Sequence, residues 1–467
     1  MARGKKTKKV LTPEEKLELA LVPAEEQPYP VPGNWCWVRV AAVSEFERGI
    51  TFPSSAKEHE ATEHNIPCLR TANIQDEIEI DDLLFVNKEF VKGNKAKLVH
   101  ADDIIMSSAN SRELVGKTAY VYSVPFPMTF GGFVLIIRAK LILSKYLFYF
   151  LRLEFLSGSF MGESTQTTNI ANINTTKLGN YVLPLPPYAE QQRIVDRIES
   201  LFAKLDEAKE KVQAVLDSFE TRKAAILHRA FSGELTGKWR EKRGIGLESW
   251  IKCKLADVLV EKPRNGYSPK PVNYKTLYKS MTLSATTSGV FKREYFKYID
   301  EIIPEDSYLW LQPGDILIQR ANSLDKVGIC AVYTGKQHEF IYPDLMMKLK
   351  ITDTNDHAYI AYFLNSKQVR KYYMGNATGT AGNMPKINQK VVLETPIVLP
   401  SKDEQSEIVR ILSNVFEKEQ RTKEIGDSVL EQIEITKKSI LAHAFRGELG
   451  TNNPSEESAT VLLKDIL

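Results

Sequence analysis

The sequence predicts an α+β protein built by duplication: two tandem mixed domains separated by two long helices, which pair with each other as an antiparallel coiled coil. Three observations predict this. A pattern of motifs recurs at a fixed shift, each helical segment keeps a heptad of apolar residues, and the remaining halves are rich in short β-prone runs.

In chain order the pieces are a basic tail over 1–29, a domain over 30–183, a helical region over 184–245, a second domain over 246–397 and a second helical region over 398–467. The tail opens Met1-Ala-Arg-Gly-Lys-Lys-Thr-Lys-Lys, lacks the apolar stretch of a signal peptide and is expected to be disordered. The first domain holds Asp82-Leu-Leu-Phe-Val, Asp103-Ile-Ile-Met and Ala119-Tyr-Val-Tyr-Ser, with a helical stretch at 146–155. Its apolar run over 133–153 matches a bilayer in length, but Arg138, Lys140, Lys145 and Arg152 would each cost about 2.5–3.5 kcal/mol at mid-membrane. That run is a core segment.

After Pro184-Leu-Pro-Pro187, which cannot continue a helix interior, an uninterrupted helix is expected to reach Phe231. Ile194, Ile198, Leu201, Leu205, Ala208, Val212, Val215 and Phe219 alternate steps of four and three, the seam of a coiled coil, and Ser232-Gly233 supplies a stop. The second domain holds Gly314-Asp-Ile-Leu-Ile and Ile329-Cys-Ala-Val-Tyr, with a helical stretch at 359–373. The second helix, 404–445, keeps Ile408, Leu412, Val415, Val429 and Ile433 in register. Glu419, Thr422 and Gly426 fall on its seam and predict looser packing there. The alternative to mutual pairing is that each helix lies on its own domain.

The repeat is explicit. Segment 185–235 set against 399–449 gives 21 identities in 51 positions without a gap. Asp103-Ile-Ile, Ala109-Asn110-Ser111 and Val115-Gly116 return as Asp315-Ile-Leu, Ala321-Asn322-Ser323 and Val327-Gly328, and Trp35 returns as Trp250. Between these anchors the halves diverge, which suggests one scaffold carrying two different surfaces.

Composition narrows the function. With 43% hydrophobic and 26% charged residues the chain is globular, and a net charge of +3 leaves any nucleic-acid partner to be sought in the distribution of charge. The four cysteines form no C-x-x-C pair, which argues against a zinc knuckle or disulfide framework and fits a reducing cytoplasm. No metal set or glycine-rich cofactor loop is visible. Leu185-Pro-Pro-Tyr188 resembles an amino-methyltransferase tetrapeptide, yet Leu185 cannot accept a hydrogen bond from a target amine. The chain is expected to catalyse nothing alone.

Two kinds of binding surface remain. The stretch 262–297 carries eight basic residues, among them Arg264, Lys270, Lys275, Lys279, Lys292 and Arg293, against the single acid Glu294. Tyrosines and phenylalanines interleave them, a composition suited to a phosphate backbone or to a solvated face over a core. The repeated loops are more specific. Ser107, Asn110 and Arg112, with Lys117 just beyond, answer to Gln319, Arg320 and Asn322, and such side chains can bond base edges. The asparagines can equally well cap their own turns. The polar loops 164–174 and 376–388, with Gln166, Asn169 and Lys386, are comparable candidates.

The helices open Pro-Pro-Tyr-Ala-Glu190-Gln191 and Asp-Glu404-Gln405, and close Ala-Phe231-Ser-Gly-Glu234-Leu and Ala-Phe445-Arg-Gly-Glu448-Leu. Doubled in this way, the motifs closely resemble the specificity subunit of type I restriction–modification systems, from about residue 32 to the end. The resemblance implies that each domain is a target-recognition domain reading one half of a split site in double-stranded DNA. It implies that the helices dock two methyltransferase subunits through these motif residues, and that a restriction subunit joins them in the cytoplasm. S-adenosylmethionine would then belong to the methyltransferase, and ATP and Mg to the restriction subunit, with no cofactor in this chain.

Overall fold

The computed structural model describes residues 12–163, 165–167, 170–379 and 384–466. The chain divides into two compact units, Met1–Lys211 with Ser428–Leu467, and Val212–Asp427. This division runs through both long helices rather than beside them. In chain order the helices that shape the units are α1 (Pro13–Ala20), α2 (Ser144–Leu156), α3 (Tyr188–Asp217), α4 (Phe219–Phe231), α5 (His357–Leu364), α6 (Lys402–Phe445) and α7 (Ala459–Ile466).

The first unit is built on an antiparallel sheet ordered Ser44–Arg48, Val134–Ala139, Ile104–Ser107, Thr118–Tyr120. Both faces of its central strands are buried, which explains their unbroken apolar runs. Ile104, Met106, Leu135 and Ile137 face α2, while Ile105, Val134 and Ile136 join Leu69, Met128 and Phe130 on the other side. The apolar run at 133–153 is thus a strand followed by a helix, as its charges required.

The second unit repeats the plan with Arg264–Asn265, Met346–Leu349, Ile316–Gln319 and Cys330–Val332. Each domain's opening strand also pairs antiparallel with its closing one: Cys36–Arg39 with Val182–Leu185, and Ile251–Lys254 with Pro396–Leu399. A buried tyrosine clamps each closing strand, Tyr146 donating to the Pro184 carbonyl (2.6 Å) and Tyr359 to that of Val398 (2.7 Å).

Each unit borrows a helix end. Phe445 of α6 packs on Tyr146 and Phe150 in the first unit (ring centroids 5.1 and 5.5 Å), and Phe231 of α4 packs on Tyr359 and Phe363 in the second (5.6 and 4.8 Å). The helices pair antiparallel within each unit. Lys209 meets Glu434 at 2.7 Å and Asp206 meets Lys437 in the first; Arg222 meets Glu419 through two bonds of 2.9 and 2.6 Å in the second.

Four expectations are corrected. The tail is not disordered from Thr12 onward: the Thr12 hydroxyl accepts from Glu15 N–H to cap α1, Ala20 and Val22 are buried, and Tyr29 packs edge-on against Trp37. Residues 1–11 lie outside the described part. The first long helix is interrupted at Ser218, because Ser218 Oγ and Arg222 Nη1 both donate to the Val215 carbonyl and divert it from the helical ladder. Val215 and Val429 stand off the seam, 46% and 37% exposed, and their neighbours Leu216 and Leu430 turn inward instead. Gly426 does not loosen the pairing. Leu216 sits directly over it, 2.8 Å from where a β-carbon would be, so the glycine admits a close approach.

Candidate nucleic-acid interface

The two loop types picked out in each half of the sequence lie side by side in the structure. In the first unit, Ala109–Asn110 pairs with Ile170–Asn172, Ser108 N–H donates to the Phe133 carbonyl (2.9 Å), and Ile173 N–H donates to the Ser108 carbonyl (2.9 Å). In the second, Ala321 bridges Lys386, Arg320 N–H donates to the Leu345 carbonyl (2.9 Å), and Ile387 N–H donates to the Arg320 carbonyl (2.8 Å). Each loop is closed by a left-handed glycine, Gly116 (φ +86°) and Gly328 (φ +81°), whose N–H groups bond the carbonyls of Ser107 (2.8 Å) and Gln319 (2.6 Å). The same backbone frame is thus built twice at one end of a four-stranded sheet. A second glycine pair completes it. Gly49 and Gly266 run so close to the carbonyls of Gly131 and Tyr342 that a β-carbon would strike them.

The asparagines are locked. Asn110 Nδ2 donates to Ser107 Oγ (3.1 Å) and its Oδ1 accepts from Ser111 N–H (2.8 Å). Asn322 does the same with Gln319 Oε1 (2.7 Å) and Ser323 N–H (2.7 Å). They shape the turns, the second of the two roles open to them. Ser107 and Gln319 are removed as readers because both are buried. Gln319 Nε2 is already bonded to Leu283 O (2.8 Å), Thr286 Oγ1 (2.9 Å) and Thr287 Oγ1 (3.1 Å).

What the frames present to solvent differs. The first offers Arg112, Leu114 and Phe133, with Lys117 half-buried and bonded to Gln75. The second offers Leu324, Lys326 and Lys386, with Arg320 half-buried. Arg320 Nη1 lies 3.3 Å from the Asp344 carbonyl, and its Nε is enclosed without a partner among the described residues. Gln166 falls in the strand Thr165–Thr167, and Asn169 lies outside the described residues.

The basic stretch 262–297 is less positive in space than in sequence. Arg293 pairs with Glu339 and Arg264 with Glu261, while Lys279 lies over the rings of Phe296 and Phe340 at 5.1 and 5.5 Å. The hydroxyls of Tyr267 and Tyr274 donate to Glu301 (3.1 Å) and Asp300 (2.7 Å). Lys262, Lys270, Lys275, Lys292 and Lys297 remain exposed. Acids outside the linear window, Glu261 beside it and Glu339 far along the chain, neutralise two of its arginines, and those five lysines are what it presents to solvent.

The duplicated helix motifs prove to be internal fastenings. Trp35 Nε1 donates to Glu190 (2.8 Å) and Trp250 Nε1 to Glu404 (3.0 Å), and both carboxylates are buried. Asn452 completes the first node; Thr236 and Arg240 complete the second at 2.6 and 2.5 Å. Next to them, Gln191 Oε1 accepts Leu143 N–H and Gln405 Oε1 accepts Asp356 N–H (each 2.9 Å), capping α2 and α5. Docking of a partner by Glu190, Gln191, Glu404, Gln405, Phe231 or Phe445 is therefore corrected: these side chains serve the interior. Glu234 and Glu448 are the exposed members, beside Arg229 (3.6 Å) and His443 (2.5 Å).

A family model for the type I restriction modification DNA specificity domain matches residues 32–217 and, separately, 248–429. The chain belongs to that family. Each matched range begins at a domain and ends within the long helix after it, so the family unit is the repeat itself. The EcoKI specificity subunit of Escherichia coli K12 is 30% identical over 451 residues, 93% of this chain and 95% of that one. The StySPI specificity subunit of Salmonella potsdam is 28% identical with the same coverage. Two solved structures share the fold. One comes from work on complex assembly of the type I R-M system (TM-score 0.68, 18% identity, 90% of this chain and all of that one). The other is the HsdS subunit from Thermoanaerobacter tengcongensis (TM-score 0.54, 19% identity, 91% and all). As a type I specificity subunit the chain is non-catalytic, and a protein-only adaptor is not favoured. Among the described residues no helix is long and apolar enough to cross a membrane, and no group of three or more His, Cys, Asp or Glu is placed to hold a metal.

Sequence inspection missed three features of this specificity subunit. The Gly49/Gly266 pair left only a lone glycine after each β-prone run. The indole-to-carboxylate bond was half visible, since the repeat aligned Trp35 with Trp250 and Glu190 with Glu404 without joining them. Phe133 was counted as part of an apolar run.

Proposed function

We propose that each domain reads one half of a split, asymmetric site in double-stranded DNA through its loop frame. One observation supports this most: the two frames share a backbone but expose unlike side chains, Arg112 where the second has Leu324 and Ser108 where the second has Arg320. Equal frames with unequal readers suit two unequal half-sites. On this reading the paired helices hold the domains at a fixed spacing and dock two methyltransferase subunits, to which restriction subunits add, in the cytoplasm. S-adenosylmethionine belongs to the methyltransferase, ATP and Mg to the restriction subunit, and none to this chain. With most motif residues buried, docking falls to exposed helix faces and to Glu234 and Glu448.

The test is to co-express the chain with its methyltransferase and map methylated sites genome-wide. A split motif with a fixed gap is expected, with Arg112→Ala relaxing one half-site and Arg320→Ala the other. A stable complex that methylates no motif would overturn the reading. An arginine whose loss weakens all sequences equally contacts phosphate instead.

A further inference from the structure

We infer that Phe133 reads the 5-methyl group of a thymine in the half-site taken by the first domain, an inference that rests on the DNA-reading role proposed above. Phe133 is 61% exposed, while Val134 and Leu135 directly after it are buried. Its backbone is pinned: its carbonyl accepts Ser108 N–H (2.9 Å), Val134 N–H bonds the Gly131 carbonyl (2.8 Å), and Gly131 N–H bonds the Leu69 carbonyl (2.9 Å). The ring has no aromatic neighbour among the described residues, and Gly131 and Gly132 before it place no side chain against it.

A single exposed apolar side chain is ordinary. This one stands on a platform stitched to the Ser108–Arg112 loop, and it is the more exposed of the two apolar side chains that the first frame presents, Leu114 being 43% exposed. The second frame reinforces the point. At the place of Phe133 it has the half-buried Leu345, and an exposed apolar group, Leu324 at 49%, stands where the first frame has Arg112. Each frame therefore offers a guanidinium and an apolar surface, at different corners. In the major groove thymine is distinguished by its methyl group, which apolar side chains contact, as guanine is by its paired acceptors for arginine.

The experiment uses the full chain in complex with its methyltransferase and duplexes bearing the mapped motif. Thymines of the first half-site are replaced one at a time by deoxyuridine, which lacks only the methyl. Burying one such group predicts that one replacement weakens wild-type binding about four-fold. Phe133→Ala is expected to bind the parent duplex more weakly by a similar factor and to be blind to that replacement, while Phe133→Leu keeps the sensitivity. Wild-type binding indifferent to every replacement, or Phe133→Ala as sensitive as wild type, overturns the assignment. So does a variant weakened equally on all duplexes, which would make the ring a wedge or a packing group. A wild-type complex that binds matched and scrambled duplexes alike would instead fail the underlying reading.

Discussion

Glu404 ties three elements of the second unit, because its buried carboxylate holds Arg240, Thr236 and the Trp250 indole together. Glu404→Ala leaves the guanidinium enclosed without its anion and is expected to cost about 3–5 kcal/mol, measured by denaturant unfolding. Trp250→Phe removes one neutral donor and should cost about 1–3 kcal/mol. The asymmetry between the two would mark the node as a structural fastening. At this scale the sequence was legible in identity but not in role. Doubling at a fixed shift singled out the Glu-Gln pairs and the asparagines, yet burial, which decides between a docking residue and an internal bond, is set by the three-dimensional path. The charge of the 262–297 stretch misled for the same reason, since Glu339 reaches Arg293 only through the fold.

The paired helices follow heptad logic with local departures. Leu216 seated over Gly426 means that Gly426→Val must push the helices apart, an expected loss of about 1–3 kcal/mol with the seam's ion pairs weakened. Acid should act at the same seam. The Arg222 guanidinium bonds Glu419 and holds its carboxyl below its ordinary value of 4.5, and Arg193 does the same for Glu456 in the first unit. Carboxylates depressed in the folded state contribute stability that is present above 4.5 and lost as pH falls through their folded values. A melting temperature followed downward from pH 5 should therefore fall, and Glu419→Gln should flatten part of that fall. Heptad spacing made the helices legible from sequence. The break at Ser218 was not, because it depends on which carbonyl Arg222 and the Ser218 hydroxyl select.

At the scale of the whole chain, the duplication, the α+β character and the antiparallel pairing were all readable, because repeats and periodicity survive where individual contacts do not. If the helices set the spacing of the half-sites, matched one-heptad insertions beside Val212 and beside Asp427 should lengthen the tolerated gap by about three base pairs, at 1.5 Å per helical residue and roughly 3.4 Å per base pair. Methylation mapping checks this, and an unchanged gap counts against a ruler. The borrowed helix ends also set an order of synthesis. The second unit draws on residues 212–427 and has all of them once that stretch has left the ribosome. The first must wait for 428–467, because Phe445 fills the space against Tyr146 and Phe150. The half made first is therefore the half finished last, and a chain stopped before 428 would leave that aromatic pocket open to water.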